Sequence, residues 1–267
     1  MRILICAKEV LDPDAVNNYA LSGRLEIGAD GKTITQSAVP TLTNGYDEQA
    51  MEAALRIRDS GRDVHISVLC VGEDGSTVLK QAAALGADEI VSIAAEAGST
   101  DTHGVARIIA AFARQEPKPD LVLCGRQASD DDQGVVPALV AEELALPFIS
   151  VARDVQVTDE SLCVTRVTPD GDEQVRCNLP AMVTVSSELG EARYPTAVAM
   201  LRARRKKARV VSPQDLGLAP QELSPKVRLE RQEVPTVQGN CEFLEGDDAN
   251  VLAHALLSKL RADKLIS

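Results

Sequence analysis

The stretch LVLCGRQASDDDQG (residues 121–134) sets an apolar run ending at Cys124 against a glycine, a polar turn, three consecutive aspartates and a second glycine. Its apolar part is continuous rather than alternating, as in a strand buried on both faces of a parallel sheet. Runs of the same kind recur as RILICA (2–7), VHISVLCV (64–71), EIVSI (89–93) and AMVTV (181–185). Between them lie helical patterns. NGYDEQAMEAALRIRDSGRD (44–63) puts Ala50, Ala54, Leu55 and Ile57 on one side and stops at Gly61. STVLKQAAALGAD (76–88) reads as capped by Ser76 and stopped by Gly86. DTHGVARIIAAFARQE (101–116) and VVPALVAEELA (135–145) supply two more. Strand alternating with helix predicts an α/β, doubly wound, mainly parallel sheet.

Two insertions interrupt that rhythm. Residues 23–35 and 151–180 each hold an Asp-Gly turn between extended stretches and read as hairpins. Past residue 188 the pattern changes to a basic cluster, a proline-rich stretch (210–240) and an amphipathic helix near 249–262. The expected division is a nucleotide-binding α/β domain over 1–188 and an arm over 189–267 that packs on another subunit.

The chain has 267 residues, 45% hydrophobic and 25% charged, enough for one sizeable core with an arm. Its formal net charge of −12 and lack of tryptophan argue against nucleic acid or an anionic membrane as partner. No apolar run reaches the length of a membrane span, and MRILICAKEV lacks the features of a secretory signal, so a soluble cytoplasmic protein is expected. The six cysteines are scattered, most inside apolar runs, and read as buried thiols; with only three histidines and no clustered ligands, no metal site is expected.

In an open parallel sheet, ligands bind beyond the carboxyl ends of the strands. Those ends are CAKEV (6–10), VGEDGS (71–76) and GRQASDDDQG (125–134). Glycines there permit close backbone approach, and helix N-termini offer N–H groups to a phosphate. GxGxxG and GxxxxGK[ST] are both absent, so neither an ordinary dinucleotide fold nor a P-loop is supported; a nucleotide site of another design remains. Asp130, Asp131 and Asp132 admit three roles: Mg²⁺ ligands, acids capping the helix that begins near Gly134, or shapers of a ligand-holding loop. Consecutive residues cannot all face one ion without unusual backbone, which favours capping with loop shaping.

Several stretches together carry a resemblance: RILICAKEVLD (2–12), TNGYDEQAMEAALRI (43–57), ALGAD (84–88), LVLCGRQASDDDQG, EQVRCNLPAMVT (173–184) and ARYPTAVAMLRARRKK (192–207). Over nearly its whole length the chain resembles the β subunit of electron-transfer flavoprotein. The resemblance implies a Rossmann-like domain of the adenine-nucleotide α-hydrolase-like type and a heterodimer whose α subunit holds most of the FAD. Such a pair carries electrons from a dehydrogenase, such as an acyl-CoA dehydrogenase, to an acceptor, with no catalytic residues in the β chain.

It also implies an AMP site of Cys6, Asn44, Gly45, Tyr46, Asp47, Val71, Gly72 and the loop Gly125, Arg126, Gln127, Ala128, Ser129, Asp130, Asp131, Asp132, Gln133, Gly134, Val135, Val136. Members that hold a second FAD there instead often show Asn-Pro-Tyr-Asp, towards which Tyr46 and Asp47 lean. They also show a threonine three residues after the one matched by Thr102, where this chain has Val105. The loop sequence is closer to the AMP class, so AMP is the expected ligand and a second FAD the alternative.

ARYPTAVAMLRARRKKARV (192–210) matches the family's dehydrogenase-recognition loop, with Arg193 and Tyr194 as interface candidates. Ala197 stands where the family places a leucine anchor, leaving Val198, Met200 or Leu201 to replace it. Arg202, Arg204, Arg205, Lys206, Lys207 and Arg209 put six basic residues in eight positions, which also suits a solvated face. A stand-alone nucleotide-binding protein or hydrolase of similar fold, and a metal-dependent phosphohydrolase using Asp130–Asp132, are the competing functions.

Overall fold

In the computed structural model the described residues are all but 36, 96–98, 159–160, 235–240 and 267. Among them nine strands form one sheet whose parallel centre is built from β1 (Arg2–Cys6), β4 (His65–Gly72), β5 (Glu89–Ala94), β6 (Leu121–Gly125) and β10 (Ala181–Val185). A two-stranded ribbon, β2 (Glu9–Leu11) with β3 (Thr41–Thr43), stands apart from it. The central order is β5-β4-β1-β6-β10. Moving outward from β1, one side is reached by the first crossovers and the other by the later ones, which is the doubly wound arrangement.

Helices cover both faces, as buried parallel strands require. After the short α1 (Pro13–Leu21), helices α2 (Gly45–Asp59) and α3 (Ser76–Leu85) close one face, where Ile3, Ile5, Ile66 and Leu123 meet Ala50, Ala54, Leu55 and Leu79. Helices α4 (Thr102–Ala113) and α5 (Val136–Leu144) close the other, packing Ile108, Ile109 and Val140 on Leu4, Leu69, Val122 and Met182. With so few aromatic residues, small alanines let α2 lie close to the sheet. Gly86, at φ 107°, ends α3, but Ser76 does not cap it: Gly75 holds the cap position and Asp74 accepts a bond from the Ser76 N–H.

The insertion at 151–180 extends the main sheet. β7 (Phe148–Thr158) begins parallel to β10, then turns antiparallel to β8 (Ser161–Thr168), which pairs with β9 (Gly171–Asn178). The change of partner needs a bulge, where Val151 sits at φ 60° and gives its N–H to buried Thr184 Oγ1 at 3.0 Å. The insertion at 23–35 is a hairpin with a single bridge, Ile27 to Ile34. At the opposite edge β11 (Arg209–Val211) adds a parallel strand beside β5 that its sequence context does not announce.

The chain divides into two compact units, 1–232 and 233–267. In the second, α7 (Ala249–Ala262) is capped by Asp248 and exposes Val251, Leu256 and Leu257. Helix α6 (Ala197–Ala203) belongs to the first unit. Among the described residues no helix is long and apolar enough to cross a membrane.

Asp101 holds two parts of the first unit together. Its side chain caps α4 through the His103 and Gly104 N–H groups and also accepts from the Lys226 and Val227 N–H groups at 2.8 and 2.9 Å. Burial opposes its charge, yet the bonds from Gly104, Val227, Lys226 and His103 lower its pKa to about 2. Asp101→Ala is expected to cost about 2 kcal/mol in urea unfolding and to speed amide exchange at Lys226 and Val227. That loss in the wild type appears only in acid, as pH falls from about 4 towards 2.

Candidate functional site

The strand order reverses between β1 and β6: α2 lies on one face and α5 on the other, so a crevice opens at their carboxyl ends. The first turn of α2 fills its floor. Asn44 is buried and takes the cap position of α2, yet its side chain makes no capping bond. Its Nδ2 donates to the Gln127 carbonyl at 2.8 Å and its Oδ1 accepts from the Ser129 N–H at 3.2 Å. Asp47, 6% exposed, accepts from the Gly125 N–H on Oδ1 and the Lys8 N–H on Oδ2, both at 2.8 Å. One carboxylate therefore ties the ends of β1 and β6 to α2.

Gly125 has no side chain for a steric reason. A Cβ there would lie 2.6 Å from Asp47 Oδ1 and from Tyr46 Cβ. Asp47 is raised to about pKa 6 because burial outweighs the hydrogen bonds and the nearby Lys8 charge.

The loop 125–136 is held by its own side chains. Lys8 Nζ reaches Asp130 at 2.7 Å and Asp131 at 3.4 Å. Gln127 Nε2 donates to Asp132 Oδ1 at 2.7 Å, and Asp132 takes a left-handed φ of 52°. Gly134, at φ 61°, allows the return, where a Cβ would come within 3.0 Å of the Arg126 carbonyl. The expected capping role does not materialise: Val135 holds the cap position of α5 without a side-chain bond, because the first two aspartates turn to Lys8 and the third to Gln127. The loop-shaping role is what the acids perform. The Ser129 hydroxyl oxygen is buried without a hydrogen-bond partner.

Cys6 and Cys124 face each other in the register of β1 and β6 below this loop. The Cys6 contact and burial push the Cys124 thiol well above its usual pKa, and burial pushes Cys70 up to about 12, so these thiols are poor nucleophiles. The Arg126 guanidinium stands 5.8 Å from the centre of the Tyr46 ring. Val71 and Gly72 end β4 beside β1, with open space where a Gly72 Cβ would stand. Thr102 is further off, starting α4 behind β5, two strands from β1. Among the described residues no group of three or more His, Cys, Asp or Glu side chains is placed to hold a metal ion.

The segment 189–201 leaves the fold at the end of β10. Tyr194 is 86% exposed, and Ala197, Val198, Met200 and Leu201 are exposed around α6, which Thr196 caps. Arg193 turns inward, to Glu52 and Asp59. Lys206 and Arg209 of the basic cluster are also engaged: Lys206 donates to the Ala87 and Asp88 carbonyls, and Arg209 pairs with Glu89. Sequence reading passed over Lys8 and Glu52. The available signals were a lysine two residues after a strand end, and a carboxylate inside the apolar face AMEAAL.

Gly125→Ala is expected to destabilise the protein by roughly 1–3 kcal/mol, measured by urea unfolding. The raised pKa of Asp47 means that its contribution to stability is complete below pH about 4 and is lost as pH rises through about 6. Wild-type stability relative to Asp47→Asn should therefore fall by about 3 kcal/mol from pH 4 to pH 7, as read by unfolding at each pH.

Residues 32–216 match the electron transfer flavoprotein domain. The caffeyl-CoA reductase–Etf complex subunit CarD of Acetobacterium woodii is 32% identical to this chain, with 100% of both chains aligned. The electron transfer flavoprotein subunit beta of Megasphaera elsdenii is 29% identical with the same full coverage. The human subunit beta is 32% identical over 82% of this chain and 84% of its own. On the domain match and these full-length likenesses, the chain belongs to the electron transfer flavoprotein β-subunit family.

Proposed function

We propose that this chain is the β subunit of a heterodimeric electron carrier and that the crevice between β1 and β6 holds AMP. The observation that carries the reading is the clasped loop 125–136 at the point where the strand order reverses. The residues present fit a mononucleotide. Gly125 and Gly134 let the loop pack tightly on α2 and on its own Arg126 carbonyl, Gly72 leaves open space at the end of β4, and the buried Ser129 hydroxyl lacks a partner that a ligand oxygen would supply. Lys8 is shared by two of the loop acids and offsets one of their two charges, which lowers the repulsion a phosphate would meet.

FAD, held mainly by an α-subunit partner, supplies the one- and two-electron chemistry when bound. This chain's residues bind, position and dock. Tyr194, Val198, Met200 and Leu201, beside Arg202, Arg204, Arg205 and Lys207, form the surface offered to a dehydrogenase of acyl-CoA type, with Leu201 or a neighbour replacing the anchor absent at Ala197.

A second FAD in place of AMP is favoured by Tyr46 and Asp47 and by the full-length likeness to CarD, whose name places it in a caffeyl-CoA reductase–Etf complex. Against it, the N–H groups of His103 and Gly104 at the start of α4 are already taken by Asp101, and the Leu223 carbonyl lies 3.1 Å from where a Gly104 Cβ would stand. A diphosphate would have to displace that arrangement.

The heterodimer, purified and denatured, should release one FAD and one AMP per pair, identified by mass spectrometry. Two FAD and no AMP would establish the second reading, and recovery of neither nucleotide would overturn both.

A further inference from the structure

Glu52 is 5% exposed in the middle of α2, on a helix whose neighbouring buried positions are Met51, Ala53, Ala54 and Leu55. Its carboxylate serves one purpose. Oε2 accepts from Arg193 Nε at 2.8 Å and from the Arg193 N–H at 3.3 Å, while Oε1 accepts from Arg193 Nη2 at 3.2 Å and from Arg56 Nε at 2.9 Å. Arg56 Nη1 in turn donates to the Leu189 carbonyl at 2.9 Å, and Asp59 takes Arg193 Nη2 at 2.8 Å. Both ends of the segment 189–193 are thus fixed to one helix, and Arg193 is held by its backbone and its guanidinium fork together. The next residue, Tyr194, is 86% exposed.

An ion pair with one buried member adds little stability over apolar side chains of similar volume. A two-point guanidinium–carboxylate contact fixes angle as well as distance. We infer that Glu52 is a positioning residue for the partner-docking segment: by gripping Arg193 it sets the direction in which Tyr194–Leu201 leave the fold. The inference rests on the reading of Tyr194–Leu201 as the docking surface. Placed this way, the segment loses less freedom when a partner binds, so Glu52 acts on encounter with the partner rather than on the flavin. The same helix clasps the nucleotide loop through Asp47, about 7.5 Å earlier along its axis, so site and docking segment share one rigid support.

The test uses the heterodimer carrying Glu52→Gln, whose amide would set a donor against the guanidinium. Amide exchange across 189–201 should rise at least about tenfold with residues 121–125 unchanged. The KM of the heterodimer for an acyl-CoA dehydrogenase oxidising butyryl-CoA should rise several-fold with kcat retained. Arg193→Lys, a half-exposed position where charge stays and the fork is lost, should show a smaller effect in the same direction, and it decides the matter if the Glu52 variant does not fold. Unchanged exchange, or exchange raised equally throughout the core, overturns the inference. So does loosening at 189–201 with wild-type KM while Leu201→Ala raises KM, which would leave the docking reading intact. If neither variant alters KM, the docking reading falls and this inference with it.

Discussion

The carboxyl ends of β1 and β6, neighbours in the sheet, are fastened to α2 by the Asp47 carboxylate, which the Lys8 and Gly125 N–H groups share. The site above depends on that bond pair. It brings Gly125 so near to α2 that no side chain fits there, and it lets Asn44, three residues earlier, reach Gln127 and Ser129. Burial raises the acid to a pKa of about 6, so at neutral pH the protein keeps a charge in a place that resists it. An apolar residue would avoid that cost and would leave two strand-end N–H groups without acceptors, which is also costly.

The same helix carries a second buried carboxylate, and the two are answered differently. Glu52 meets two guanidinium groups, and although burial opposes its ionisation, the Arg193 and Arg56 bonds lower its pKa below the ordinary glutamate value. Asp47 meets mainly backbone dipoles and one lysine at the rim, and its pKa rises. The contrast follows from depth and partners together: Asp47 is the more deeply desolvated and is met by two amide N–H groups, whereas Glu52 has full opposite charges at contact distance.

Continuous apolar runs made the central strands readable, since a strand covered on both faces has no polar side to mask it. The five parallel runs, the helices between them and the edge hairpin β8–β9 stand where composition and turn residues put them. What escaped depends on distant partners. β11 has three residues and owes its conformation to β5, more than a hundred positions away. β7 changes partner at a bulge whose strain is met by Thr184 from another strand. Ser76 looked like a cap by type, but Gly75 preceded it in the turn and Asp74 supplied the bond. Lys8 meets Asp130 across 122 positions, and no local pattern carries such a pairing.

Three consecutive acids in a chain of net charge −12 look unfavourable until each is followed to its partner. Asp130 and Asp131 share Lys8, Asp131 also accepts from the Gln133 N–H, and Asp132 accepts from Gln127 while its own N–H reaches the Ala128 carbonyl. Each acid uses its short side chain to fix a loop that lacks regular secondary structure, and Asp132 accepts a left-handed backbone that suits aspartate better than most residues. The bonds at the rim are exposed and individually weak. Their joint effect is entropic: the loop holds its shape by itself, so the nucleotide proposed for the crevice would not have to supply the ordering.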